Sequence, residues 1–267
     1  MKTAMFGTRA IVALTFLLAT SILNATNAWA SPSPQDAAAR DDRQIQTDLT
    51  RELNGSRFKS IQVTVLNGVV DLEGSVDLFA DKEEADRRAH HAKNAMAIRN
   101  QLRVAGPQVS DQELRAKLMQ KLEYDRVGYG TTAFNAIGID VRDGVVRLGG
   151  HAYSPTDKSS ALSVVSYTPG VQDVIDEIEV DPVSPMDDRI RLNVARAVYG
   201  HSSLNKYALD PGKPIRISVQ NGNVTLFGVV NTAADRDIAN IRANGVPGVF
   251  KVVNELRVES DTSEAAK

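Results

Sequence analysis

The side chains that most often do chemistry are sparse in this sequence, and their spacing argues against a reaction. There is no cysteine, which removes disulfides, thiolate nucleophiles and an acyl-anchor cysteine in one step. Of the four histidines, at 90, 91, 151 and 201, the first two are adjacent. On a helix they point about 100° apart and cannot form the i, i+4 pair of a zinc site, so they read as solvated surface residues. Serine, histidine and aspartate all occur, but no Gly-x-Ser-x-Gly nucleophile elbow does. Gly68 to Gly74 superficially looks like a phosphate loop, yet it lacks the Gly-Lys-Ser/Thr ending. No catalytic residue, metal ligand or cofactor motif is expected, and an enzyme is the least favoured reading.

Composition narrows what remains. Lys2 and Arg9 followed by the apolar run Ala10 to Leu23 and by Ala28-Trp29-Ala30 read as a secretory leader over 1–30 with cleavage before Ser31. A run of about 14 residues is short of the roughly 20 that span a bilayer, so cleavage is expected rather than anchoring. Loss of the leader removes two bases and no acid, leaving 29 basic against 33 acidic residues, net charge −4. That balance argues against a dedicated nucleic-acid binder, which needs a basic stripe. Segments 31–40 and 260–267 read as flexible ends.

The strongest signal is repetition. Leu66 to Gly74, Arg142 to Gly150 and Gln220 to Gly228 align, each with two glycines six residues apart. Thirty residues after the second glycine each copy closes on an alternating apolar run: Ile98, Leu102, Val104; Val174, Ile178, Val180; Val252, Leu256, Val258. Asn67-Gly68, Asp143-Gly144 and Asn221-Gly222 are type I′ hairpin turns by composition, because both positions need positive φ. The register follows: Val63 opposite Leu72, Val65 opposite Val70, and likewise Ile139–Leu148, Val141–Val146, Ile217–Leu226 and Val219–Val224. All fall on one face. Gln62, Thr64, Asp71 and Glu73, or Arg216, Ser218 and Thr225, fall on the other, which should be wet.

Helices must complete the layer. Ile45, Leu49, Leu53; Leu114, Leu118, Leu122; and Ile190, Val194, Val198 form stripes at i, i+4, i+8 ahead of each hairpin. Ser110 with Glu113 has the form of a capping box. A second helix, opened in copy two by Ser154-Pro155, links hairpin to last strand and carries Asp81, Asp157 and Asp235 near its start, where the helix N-terminus favours an acid. Ala85, Ala161 and Ala239 also coincide. The fold class is therefore α+β: three tandem α-β-β-α-β modules over 41–105, 110–181 and 186–259, each a three-stranded sheet with both helices on one face. The helical crossover makes strand three parallel to strand two. Linkers fall at Gly106-Pro107 and at Asp181 to Pro185.

The Gly-x-Val-x-Leu-x-Gly hairpin, the alanine-bearing helix, the Pro169-Gly170 and Pro247-Gly248 turns, and the ending Val249, Val252, Asn254, Leu256, Val258 together resemble the BON domain, named for bacterial osmotically inducible and nodulation proteins. The likeness spans nearly all of the chain after the leader. Copy one departs with Lys93-Asn94 at the turn, and copy two has Asp176 in place of the asparagine. The resemblance implies a periplasmic protein that binds phospholipid surfaces, or assists exported and outer-membrane proteins, under osmotic or envelope stress. It brings no catalytic residue.

Lipid binding in this family is associated with the first helix of a second module, and that stretch can be read by itself. Lys117, Lys121 and Tyr124 fall at i, i+4, i+7 on one flank. Two amines and a phenol suit an anionic headgroup layer, although Asp111, Glu113, Glu123 and Asp125 lie on the same helix. Copies two and three also lengthen the path from first helix to hairpin, and place Tyr129 and Phe134 in one loop and Tyr207 in the other. Those aromatics could enter a membrane interface, grip an extended client, or tuck back over a sheet edge. Peripheral contact with an anionic phospholipid surface is the leading expectation. A holding chaperone for unfolded exported proteins is the alternative, and a small-cation sensor is third.

Overall fold

The computed structural model describes residues 34–124, 132–209 and 214–259. The first module runs α1 (Pro34–Glu52), β1 (Ile61–Leu66), β2 (Val69–Val76), α2 (Phe79–His90), β3 (Ala97–Asn100) and β4 (Arg103–Val104). The second runs α3 (Asp111–Tyr124), β5 (Ala136–Arg142), β6 (Val145–Ala152), α4 (Pro155–Ser166) and β7 (Asp173–Val180). The third runs α5 (Pro185–Tyr199), the single turn α6 (Lys206–Leu209), β8 (Arg216–Gln220), β9 (Asn223–Val230), α7 (Ala233–Asn244) and β10 (Lys251–Val258). The expected order is thus written three times. In every sheet the second hairpin strand is central, antiparallel to the first and parallel to the last.

The hairpin register is the expected one. Val63 faces Leu72 and Val65 faces Val70, Ile139 faces Leu148 and Val141 faces Val146, and Ile217 faces Leu226 and Val219 faces Val224. The turns explain it: Asn67 and Gly68 have φ of 52° and 75°, with Asp143–Gly144 and Asn221–Gly222 within a degree of those values. Both central residues are left-handed, which matches the twist of the flanking strands. Copy one keeps the later turn without Pro-Gly, because Asn94 takes φ of 68° where Gly170 and Gly248 take theirs. Asparagine is among the few side chains that tolerate that region.

Helix α1 already begins at Pro34, inside the segment 31–40 that reads as a flexible end. Proline fits the first helical turn, and Ala37-Ala38-Ala39 propagates it. Two expectations change. The third strand of the first module is broken at Gln101–Leu102, although both pieces pair with β2. The face opposite the helices is wet in the first module, where Gln62, Thr64 and Glu73 are exposed, but covered in the third, where Ser218 is buried and Arg216 and Thr225 are half-buried. The second module and the Asp181–Pro185 linker cover that face.

The helical stripes are buried against the strands they face, Leu122 only partly, and Ala85, Ala161 and Ala239 are fully enclosed. One apolar core runs continuously through the first two modules, where α2 meets α4, and a second fills the third module.

Candidate binding surface and the seam between modules

Helix α3 is the element the sequence singled out. Ser110 caps it by accepting the Glu113 amide at 3.3 Å. Asp111 in its first turn reaches sideways, and its two carboxylate oxygens accept the amides of Asp143 and Gly144 at 2.8 and 2.9 Å. Asp42 does the same for Asn67 and Gly68, both at 2.7 Å. Asp187 does it for Asn221 and Gly222, at 3.0 and 2.8 Å. Each first helix therefore clamps its own hairpin turn through one carboxylate. The signal in the sequence is an aspartate three residues before Ile45, Leu114 and Ile190, a spacing that periodicity alone does not single out.

The basic flank of α3 is partly engaged. Lys117 is half-buried without a hydrogen bond or ion pair among the described residues, whereas Lys121 Nζ donates to Thr168 Oγ1 at 3.0 Å. Tyr129 and the Tyr124 side chain lie outside the described residues. On the other flank Arg115 and Met119 are exposed and border a cleft of about 210 Å³ with Leu122, Ile137, Ile139 and Arg216. Burial pulls the Arg216 guanidinium below the ordinary arginine value, opposed by the nearby Glu123 charge.

The two loop aromatics that can be described turn inward. Tyr207 is buried, its hydroxyl donating to Asp235 Oδ2 at 2.8 Å and accepting the Asn231 amide at 2.7 Å. Lys206 Nζ reaches the same carboxylate oxygen at 2.9 Å. Burial alone would raise the Asp235 pKa, but these bonds and the Thr232 cap hold it below the usual value. Phe134 is half-buried, packs against the core of the third module and meets Tyr153 with ring centroids 5.9 Å apart. The Tyr207 ring is closed to solvent, and the Phe134 ring is half-covered by the third module. The lengthened connections serve packing: one reaches across to the next module, the other caps α7.

The same crossing creates a polar knot that the sequence did not announce. Asp181, 1% exposed, lies at the end of β7, and Arg191, also 1% exposed, lies on α5. Arg191 Nη2 donates to Asp181 Oδ2 at 3.2 Å and to the Val219 carbonyl at 3.1 Å, while Nη1 donates to Asp188 Oδ1 at 2.5 Å. Its guanidinium stacks 4.7 Å from the centroid of Tyr153. Ser218 Oγ and Gln220 Nε2 donate to Asp181 at 2.9 and 3.0 Å. His151 on β6 closes the group, with Nδ1 3.1 Å from Gln220 Nε2 and 3.6 Å from Asp181 Oδ1. Contact with Asp181 raises the His151 pKa against the lowering effect of burial. Burial would raise Asp181 itself, but His151, Gln220, Ser218 and Arg191 together hold it below the ordinary carboxylate value. Buried charge of this kind persists only when paired and hydrogen-bonded.

Among the described residues no cluster of His, Asp and Glu could hold a metal ion, and no helix is long and apolar enough to cross a membrane. A family model described as BON domain matches residues 41–106, 110–182 and 193–260. Among curated proteins, none matches the chain. Two solved structures are similar at low identity. CdsD, a structural protein of the type III secretion system of Chlamydia trachomatis, is 12% identical over 84% of this chain and 96% of its own, with a TM-score of 0.23. The C-terminal domain of CdsD is 11% identical over 80% of this chain and 96% of its own, with a TM-score of 0.24. At those scores the likeness carries no argument.

Proposed function

The chain belongs to the BON domain family, a family associated with phospholipid binding, and from that premise we propose a peripheral, non-catalytic phospholipid-binding protein of the periplasm. In this reading the first 30 residues export it, and it serves the envelope under osmotic or related stress. The observation that carries the reading is the orientation of Asp111. The acids of α3 counted against an anionic target in the sequence, but Asp111 spends both oxygens on the second hairpin turn. Arg115 is exposed and Lys117 half-exposed, and neither has an ion pair among the described residues. Asp111 is thereby turned toward the hairpin, and the two cations flank the solvent side of the helix, with Met119 beside Arg115 and the exposed Glu113 between them.

Each basic residue near an anionic leaflet contributes about 1 kcal/mol. The chain from Ser31 is expected to co-sediment with vesicles rich in phosphatidylglycerol and to be released by salt. Arg115→Glu with Lys117→Glu should weaken that partitioning roughly tenfold or more. Absence of sedimentation at low ionic strength removes the proposal. The holding-chaperone alternative draws no support from Tyr207, whose ring is buried, or from Phe134, which is half-buried against the next module.

A further inference from the structure

The turn-bearing end of the third module presents apolar side chains on a fixed frame. Phe250 is 83% exposed and Met186 61% exposed. They border one recess of about 350 Å³ with Ile190, Gly222 and Gly248. Neither is loosely held. The Phe250 amide donates to the Gly222 carbonyl at 2.9 Å, and a Cβ on Gly222 would fall 2.5 Å from the Phe250 ring, so the ring lies directly on the turn. Met186 sits in the first turn of α5, one residue before the Asp187 clamp.

The exposed, unpaired charge at this end is basic. Asp187 is buried against the turn amides, and Asp188 is paired with Arg191. Arg189, three residues from Met186 on the same helix, and Lys251, next to Phe250, are exposed and have no ion pair among the described residues. An aromatic ring and a methionine framed by two uncompensated cations complement the boundary between anionic headgroups and acyl chains. A stable protein partner would need roughly 800 Å² on each side. Two projecting side chains supply a fraction of that, at about 150 to 250 Å² for an aromatic ring. At the equivalent place the first module carries Met96, 82% exposed over Gly68, and the second the polar Gln172 over Gly144, so the third module alone sets an aromatic ring there.

We propose that the hairpin-turn end of the third module is a second membrane contact, inserting Phe250 and Met186 into an anionic bilayer while Arg189 and Lys251 meet its headgroups. This rests on the phospholipid reading above and adds a site to it. The test exploits the composition. Trp29 is the one tryptophan of the sequence, so the chain from Ser31, which keeps every described residue, has none, and Phe250→Trp installs a single reporter. With phosphatidylglycerol vesicles its emission is expected to shift to the blue and to be quenched by lipids brominated along the acyl chain. Phe250→Asp should weaken partitioning roughly tenfold or more. Met186→Trp is a second reporter on a separate element and should respond in the same way. Sedimentation with vesicles while both tryptophans stay water-like overturns this inference and leaves the phospholipid reading standing. No sedimentation at all overturns both. A blue shift that appears without lipid as protein concentration rises assigns the tip to a second copy of the chain and overturns the membrane contact.

Discussion

An aspartate in the first turn of a helix is usually credited to the helix dipole. Here Asp42, Asp111 and Asp187 do something more specific, because each accepts two backbone amides from a turn 25 to 35 residues further on. Hydrogen bonds to a charged acceptor contribute about 1.5 to 3 kcal/mol each, and the amides of a left-handed turn have no strand partner to replace them. Asp187→Ala is therefore expected to destabilise the chain by about 2 to 4 kcal/mol, seen as a lower urea midpoint at unchanged slope. A loss under about 0.5 kcal/mol, the ordinary range for a surface substitution, would show that water serves those amides equally well. The clamp was legible only as a spacing, since nothing in a lone aspartate says which of its neighbours in space will need an acceptor.

Helices, hairpins and their order were legible because periods of two and of three to four residues recur three times with fixed offsets. What the pattern hid is how the last strand stays attached to the helix before it. In the third module Asn254 accepts the Leu256 amide at 3.2 Å and donates to the Arg236 carbonyl at 3.0 Å. In the first, Asn100 accepts the Leu102 amide at 3.1 Å and donates to Asp86 at 3.0 Å. Asp176 stands at this place in the second module and cannot donate, yet it accepts the Ile178 amide at 3.0 Å and holds Lys158 Nζ at 2.8 Å. The substitution changes the sign of the tether, not its presence. Asp176→Asn should accordingly cost under about 1 kcal/mol in urea unfolding, whereas Asp176→Ala, which strands the Ile178 amide, should cost about 1 to 3 kcal/mol. Equal losses for the two variants would mean that the side chain's hydrogen bonds are not what matters there.

Between modules the sequence was least informative, because a linker rich in proline, Asp181 to Pro185, reads as a spacer while its first residue is buried in a knot of charge. Truncating one member of such a pair leaves the other unpaired in low dielectric, so Asp181→Ala should cost about 3 to 5 kcal/mol and free the third module to unfold separately. The groups facing His151 are Asp181 and Glu179 from the second module, at 3.6 and 3.9 Å, and Gln220 and Phe227 from the third, with Arg191 and Asp188 behind Asp181. Because the folded pKa of His151 is raised above its ordinary 6.5, its contribution is complete below that value and is lost as pH climbs through the raised one. Asp181 behaves oppositely: its folded pKa is depressed below 3.8, so its contribution is present above 3.8 and lost as pH falls through the depressed value. The seam is thus firmest in the mildly acidic interval between those two ordinary values. As pH climbs through the raised value the imidazole becomes neutral, and the Asp181 charge loses its cationic His151 neighbour and is left to Arg191, Ser218 and Gln220. Urea midpoints measured from about pH 3 to about pH 9 should fall on the alkaline side in the natural chain, and His151→Gln should flatten that decline without removing the acid-side loss. A decline of the same steepness in both chains would assign the alkaline weakening to some other group and leave His151 a neutral filler against Phe227.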